Sequence, residues 1–256
     1  MMELIALIIG IFLRELLEIA KGFHEERKNR KRISRDLIMP LVRIADELVG
    51  RTYHHAKSDF QDQTNRTIDP AKIDDYNHLY DLYVWARFWA YTSRIRKAEL
   101  SYRLSESDTG KNLLMFLDCL EASKVSIIPR AKQKLIGDGF ADKFGWEGEC
   151  SFYGFVAEIR NDEIFADALK PINYYYARAY MRKYAQALLT YTIIIHSMVE
   201  SFDSDATLSS IRAAPTSKLG ERARKDLYRR ILPVYLKFDE ETCTRYSGTK
   251  EPARTA

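Results

Sequence analysis

The sequence predicts an all-α protein: a bundle of about six or seven helices with an extended hydrophobic or amphipathic helix at its N-terminus. Three observations carry this. Glycine and proline number only 11 and 7 in 256 residues, too few to punctuate many short strands with tight turns. Apolar residues recur at three- and four-residue spacing through most of the chain. The balance of 46% hydrophobic and 30% charged residues is that of a folded globular chain.

The first 33 residues read as a membrane-associating segment. Leu4 to Leu13 is an unbroken apolar run of ten residues, roughly 15 Å of helix against a hydrocarbon core of ~30 Å. Ile5, Ile8, Ile9, Phe12, Leu16, Ile19 and Phe23 continue one apolar face beyond it. Arg27, Lys28, Arg30, Lys31, Arg32 and Arg35 follow with no acid among them. An apolar helix with such a flank suits anionic lipid and the positive-inside rule. Leu4, Ile8, Phe12 and Leu13 are then the expected lipid contacts, and Lys28, Arg30, Lys31 and Arg32 the headgroup contacts. Spanning the bilayer as a transmembrane helix and lying in its interface are both open for so short a run. The alternative is a core or oligomer-forming helix. A signal peptide fits poorly, because no basic residue precedes the run and no small-residue cleavage site follows it.

Residues 34–240 read as the bundle. Leu37, Leu41, Ile44, Leu48 and Tyr53 trace the stripe of a helix reaching about Phe60, with Pro40 at a kink or in a first turn. Polar residues 58–70 form a loop. A long helix is expected over 71–104, where YDLYVWARFWAY supplies an aromatic stripe that belongs to the core rather than to a base-stacking platform. Asp108 or Thr109 caps the next helix, 111–127. Another opens at Pro129 and closes at Gly137 or Gly139, with loop to residue 150. Residues 151–170 form a helix that ends at Pro171. Residues 172–202 are expected to form the most apolar helix of the body, and 185–199 read as its buried central part rather than a second span. An amphipathic basic helix covers 218–236, and 241–256 read as a disordered tail.

Both ends are basic. Residues 1–35 hold eight Lys/Arg against five Asp/Glu, and residues 212–256 hold eleven against six. The order of features resembles a broad group of bacterial proteins without assigned activity that join an N-terminal hydrophobic helix and arginine-rich flank to a helical cytoplasmic body. The resemblance lies in KNRKRISRDLIMPLVRIADELVGRTY, IIPRAKQKLIGDGF, FYGFVAEIRNDEIFADALKP and MVESFD. It implies a topology, with the body on the cytoplasmic side of the inner membrane, and no site.

Candidate chemistry is sparse. Cys119, Cys150 and Cys243 are far apart and form no CxxC pair, which argues against a disulfide framework or a cysteine zinc site. His54, His55 and Asp59 stand at a helix end, with His55 and Asp59 one turn apart, and His78 lies in an acidic group with Asp74, Asp75 and Asp81. His54, His55, Asp59 and His78 are the weak metal candidates, and His54, His55, Asp74 and His78 the residues of a metal-dependent helical enzyme. His196 and Glu200 are a further pair, and Glu158, Asp162, Glu163 and Asp167 a carboxylate row. Each reads first as a cap, a solvated face or a hydrogen-bonded core group. No P-loop, GxGxxG, GxSxG or HExxH is present. The residues therefore imply no cofactor, no resident metal and no small-molecule ligand. The expected function is a membrane-associated interaction or scaffold protein, whose partners are an anionic membrane surface and either another protein or a second copy. A membrane-acting effector, for example in phage defence, is the first alternative and the metal-dependent enzyme the second. Nucleic acid is not favoured, for want of a helix-turn-helix or zinc pattern.

Overall fold

The structure, a computed structural model, describes residues 34–64, 66–145, 150–210 and 214–249. The lipid-contact candidates Leu4, Ile8, Phe12 and Leu13, and Lys28, Arg30, Lys31 and Arg32 beside them, lie outside the described residues. The chain divides into two compact units, one up to Pro40 and one from Leu41. Of the first, the described part is a π-helical turn, Ser34–Ile38, that leads into α1 (Met39–Lys57). Pro40 occupies the opening turn of α1, where its missing N–H leaves no bond unmade.

Among its described residues the second unit is built of helices and the loops between them, with no strand. After α1 come α2 (Tyr76–Ile95), α3 (Ala98–Ser105), α4 (Asp108–Glu121), α5 (Arg130–Phe144), α6 (Phe152–Asn161), α7 (Glu163–Tyr176) and α8 (Arg182–Phe202). Then α9 runs through Glu221–Asp226, a π-turn Leu227–Ile231 and Leu232–Tyr235, and α10 is Glu240–Ser247. Ten helices among the described residues replace the expected six or seven, because side chains break the long predicted helices at specific points.

The helix expected over 71–104 starts only at Tyr76, where the Asp75 carboxylate accepts from Asn77 N at 2.9 Å. It stops at Ile95, whose carbonyl accepts from the Ser101 hydroxyl at 2.8 Å, and Lys97 turns extended. Ser107, not Asp108 or Thr109, caps α4 by accepting from Gly110 N. The helix expected over 151–170 divides at Asp162, whose carboxylate accepts from Phe165 N at 2.9 Å and starts α7. Pro171 does not end α7, which runs on to Tyr176. The stretch read as a disordered tail contains α10, capped by Asp239 and closed by Gly248 in the left-handed region at φ 62°.

Gly137 and Gly139 do not end α5 either. The helix passes through both and closes at Gly145, φ 75°. A methyl group at Gly137 would stand 2.4 Å from the Trp89 carbonyl oxygen and 2.8 Å from Ser93 Oγ. Its glycine lets α5 lie directly against the backbone of α2.

The core gathers around α2 and α8. Trp85, Trp89, Tyr176 and Tyr191 are buried together, with Trp85 ring centroids 5.0 Å from Trp89 and 5.6 Å from Tyr191. The aromatic stripe of α2 is thus core. Residues Tyr191–Val199 of α8 are all buried, which makes it the central helix. Among the described residues no helix is long and apolar enough to cross a membrane.

Candidate functional site

A dense polar constellation lies where the end of α1, the loop after it and the first half of α2 meet. It begins in the periodicity of α1. Leu41, Ile44, Ala45, Leu48, Thr52 and His55 share the buried face, so His55 continues an apolar stripe. Asp81 is carried inward by α2 four residues before Trp85, and both are buried.

The His55 ring is held at both nitrogens. Nε2 lies 2.9 Å from Asp81 Oδ2, and Nδ1 makes a short contact with Asp62 Oδ2. Carboxylates only accept, so both contacts are hydrogen bonds when each ring nitrogen carries a proton. Gln63 Nε2 donates to the same Asp62 oxygen at 2.9 Å. Asp81 also accepts from Arg51 Nε at 2.8 Å and Arg66 Nη1 at 3.1 Å. Arg51 reaches on to the Asn77 carbonyl at 3.0 Å.

Burial works against the negative charge of Asp81, yet the hydrogen bond and charge of His55 and the guanidinium of Arg51 outweigh it and hold the carboxyl below its usual range. The same balance acts on Asp62, where desolvation is overcome by His55, Ser58 and Gln63. His78, buried on the same helix, moves the other way: burial and the nearby Arg66 lower it to about 4, so it is neutral at pH 7.

The cluster ties the 58–66 segment to α2 and leaves no ring nitrogen of His55 open for a metal or a substrate proton. The other candidates do not join it. His54 is exposed. Asp59 faces Lys218, 2.8 Å away. Asp74 is almost fully exposed and meets Arg160 at 3.4 Å. Asp75 caps α2. No three His, Cys, Asp or Glu side chains among the described residues converge to hold a metal ion. In the carboxylate row, Glu158 and Asp162 both grip Lys143, at 2.7 and 2.6 Å, and Asp167 pairs with Lys170. These carboxylates are structural ties.

Sequence reasoning singled out His55 and Asp81 but missed Arg51, Asp62 and Arg66. Arg51 carries a signal, since it stands one turn before His55 on α1. Asp62 and Arg66 carry none, because only the path of the loop brings them in. All three cysteines are free and buried, and burial pushes the Cys119 and Cys150 thiols up to about 12 and about 11.

No protein-family model, curated protein or solved structure matches the chain.

Proposed function

We propose that this is a helical interaction protein held at an anionic membrane surface by its first 33 residues, with the helical body on the cytoplasmic side of a bacterial inner membrane. One observation carries the reading: the ten-residue apolar run Leu4 to Leu13 is followed within one short helix length by Arg27, Lys28, Arg30, Lys31, Arg32 and Arg35. Apolar insertion and headgroup attraction are two weak signals that bind stably when combined. The body supports the reading in a second way. Among the described residues, the buried Asp81 and its partners Arg51, His55 and Arg66 hold a loop to α2. Large apolar side chains stay exposed on three helices that pack on one another, with Tyr76 67%, Tyr153 83% and Ile164 83% exposed. Such positions offer a protein partner or a second copy something to cover.

The test is flotation of the purified full chain with lipid vesicles. The proposal expects flotation with vesicles rich in phosphatidylglycerol, weaker flotation with neutral ones, and loss of the difference when Lys28, Arg30, Lys31 and Arg32 are changed together to glutamine. Equal recovery in the lipid-free control rejects it.

A further inference from the structure

The corner where α7 turns into α8 is one-sided in charge. From Ala168 to Val199 the sequence holds Lys170, Arg178, Arg182 and Lys183 and no acidic residue. Lys170 is paired with Asp167 on its own helix. The other three stand at the corner itself, and none has a carboxylate partner among the described residues. The turn explains their placement. Backbone N–H groups of Ala177, Ala179 and Met181 each bond back to the preceding turn, and Ala177 and Ala179 are buried. Arg178 is thereby left half-buried, and Tyr180, Met181, Arg182 and Lys183 are exposed.

Aromatic rings are interleaved with these cations. The Arg178 guanidinium lies 3.9 Å from the centre of the exposed Tyr174 ring, and Lys183 Nζ lies 5.9 Å from that of Tyr184. The rings of Tyr174 and Tyr175 both meet Tyr184 in T-shaped contacts.

The chemistry of the corner selects what it meets. Cations without carboxylate partners attract an anionic surface. Tyrosine, with an apolar ring and a polar tip, sits at the headgroup level of a bilayer, and lysine and arginine beside it favour anionic lipid. A single-stranded nucleic acid is also anionic, but it binds by stacking bases on open aromatic faces. Here Arg178 covers one face of Tyr174, and Tyr184 is contacted by Tyr174, Tyr175 and Lys183. The corner is thus better matched to headgroups than to bases.

We propose that the α7–α8 corner docks on an anionic lipid bilayer, a second contact of the chain with the membrane and one that rests on the membrane reading above.

The experiment labels Tyr180→Cys in the full chain with an environment-sensitive dye, which the buried native cysteines leave specific to residue 180. The labelled chain is mixed with vesicles rich in phosphatidylglycerol, and flotation of the same sample reports whether it is bound. The proposal expects flotation together with a blue shift of the dye. Changing Arg178, Arg182 and Lys183 together to glutamine should abolish the shift and weaken vesicle affinity roughly fivefold for each charge removed. Flotation without a shift, or a shift that survives the triple change, overturns the corner contact and leaves the N-terminal anchor standing. No flotation overturns both. A shift with a single-stranded oligonucleotide and none with vesicles overturns it in favour of nucleic acid. If Tyr180→Cys fails to fold, the vesicle affinity of the triple-glutamine chain decides the matter, and an affinity equal to wild type overturns the proposal.

Discussion

Replacing Asp81 by asparagine keeps the shape of the side chain and removes the charge on which two guanidinium groups and the His55 ring converge. Arg51, Arg66 and His55 all donate to this carboxylate, whose side chain is 0% exposed. The variant's amide offers one acceptor oxygen and turns an N–H₂ toward groups that are themselves donors. Arg51 keeps the Asn77 carbonyl and His55 keeps Asp62. Arg66, with a side chain 7% exposed, retains only a 4.0 Å approach to Asp75. Removing one partner of a buried ion pair destabilises by about 3–5 kcal/mol. In a chain of this size that lowers Tm by roughly 6–20 °C. Denaturant unfolding of the full chain at pH 7, followed by circular dichroism, measures the difference. The pH dependence has a definite sign. The folded state holds the Asp81 and Asp62 carboxyls below their unfolded values, so their stabilisation is complete above the unfolded pKa of about 4 and disappears as pH falls through the folded values. Wild-type stability should fall steeply below about pH 4, and that of Asp81→Asn less steeply. Asp81→Asn within about 1 kcal/mol of wild type would refute the reasoning, since that is what an exposed pair is worth. Glu221→Gln, which breaks the exposed Glu221–Lys225 pair, is the control and should leave Tm unchanged.

Three further predictions follow from single contacts. Gly137→Ala drives a methyl group into the Trp89 carbonyl and should destabilise by about 1–3 kcal/mol, although alanine is the better helix former; a gain in Tm would show that α2 and α5 do not meet there. Asp203→Ala removes the acceptor of three backbone N–H groups after α8 and should destabilise by about 1–2 kcal/mol, as loss of a helix cap does; unchanged denaturation would contradict the loop geometry. The buried thiols of Cys119, Cys150 and Cys243 should resist a thiol reagent at pH 8 in the folded protein and react fully in guanidinium; rapid modification of the native chain would place at least one at the surface.

The helical class was legible because composition and apolar spacing are properties of the chain itself. The burial of 191–199 was legible for the same reason, since that stretch is apolar on nearly every side, whereas 185–187 and Thr190 at the start of the expected core stretch are only half-buried. The breaks were not. Asp162 looks in sequence like one of a row of solvated carboxylates, and only the backbone's turn makes it the cap of α7. Gly137 looks like a helix terminator, yet its use depends on Trp89 lying against it, a contact between residues 48 positions apart. The same divide runs through the site. His55 could be read as buried because it falls on the α1 stripe. Its partners Asp62 and Arg66 sit in a polar loop, where the pattern gives no direction to a side chain. His196 stands in an apolar helix and reads as a core histidine, and the structure buries it with its ring edge-on to Tyr246.

The most direct test of the central claim is a fractionation. The full chain and a variant lacking residues 1–23 are expressed in bacteria, and membranes are pelleted and washed with alkaline carbonate. The account predicts that the full chain stays with the washed pellet while the shortened chain, with an unchanged helical spectrum, moves to the soluble fraction. Recovery of both chains in the soluble fraction would contradict it and make the apolar run part of a protein core or an oligomer contact.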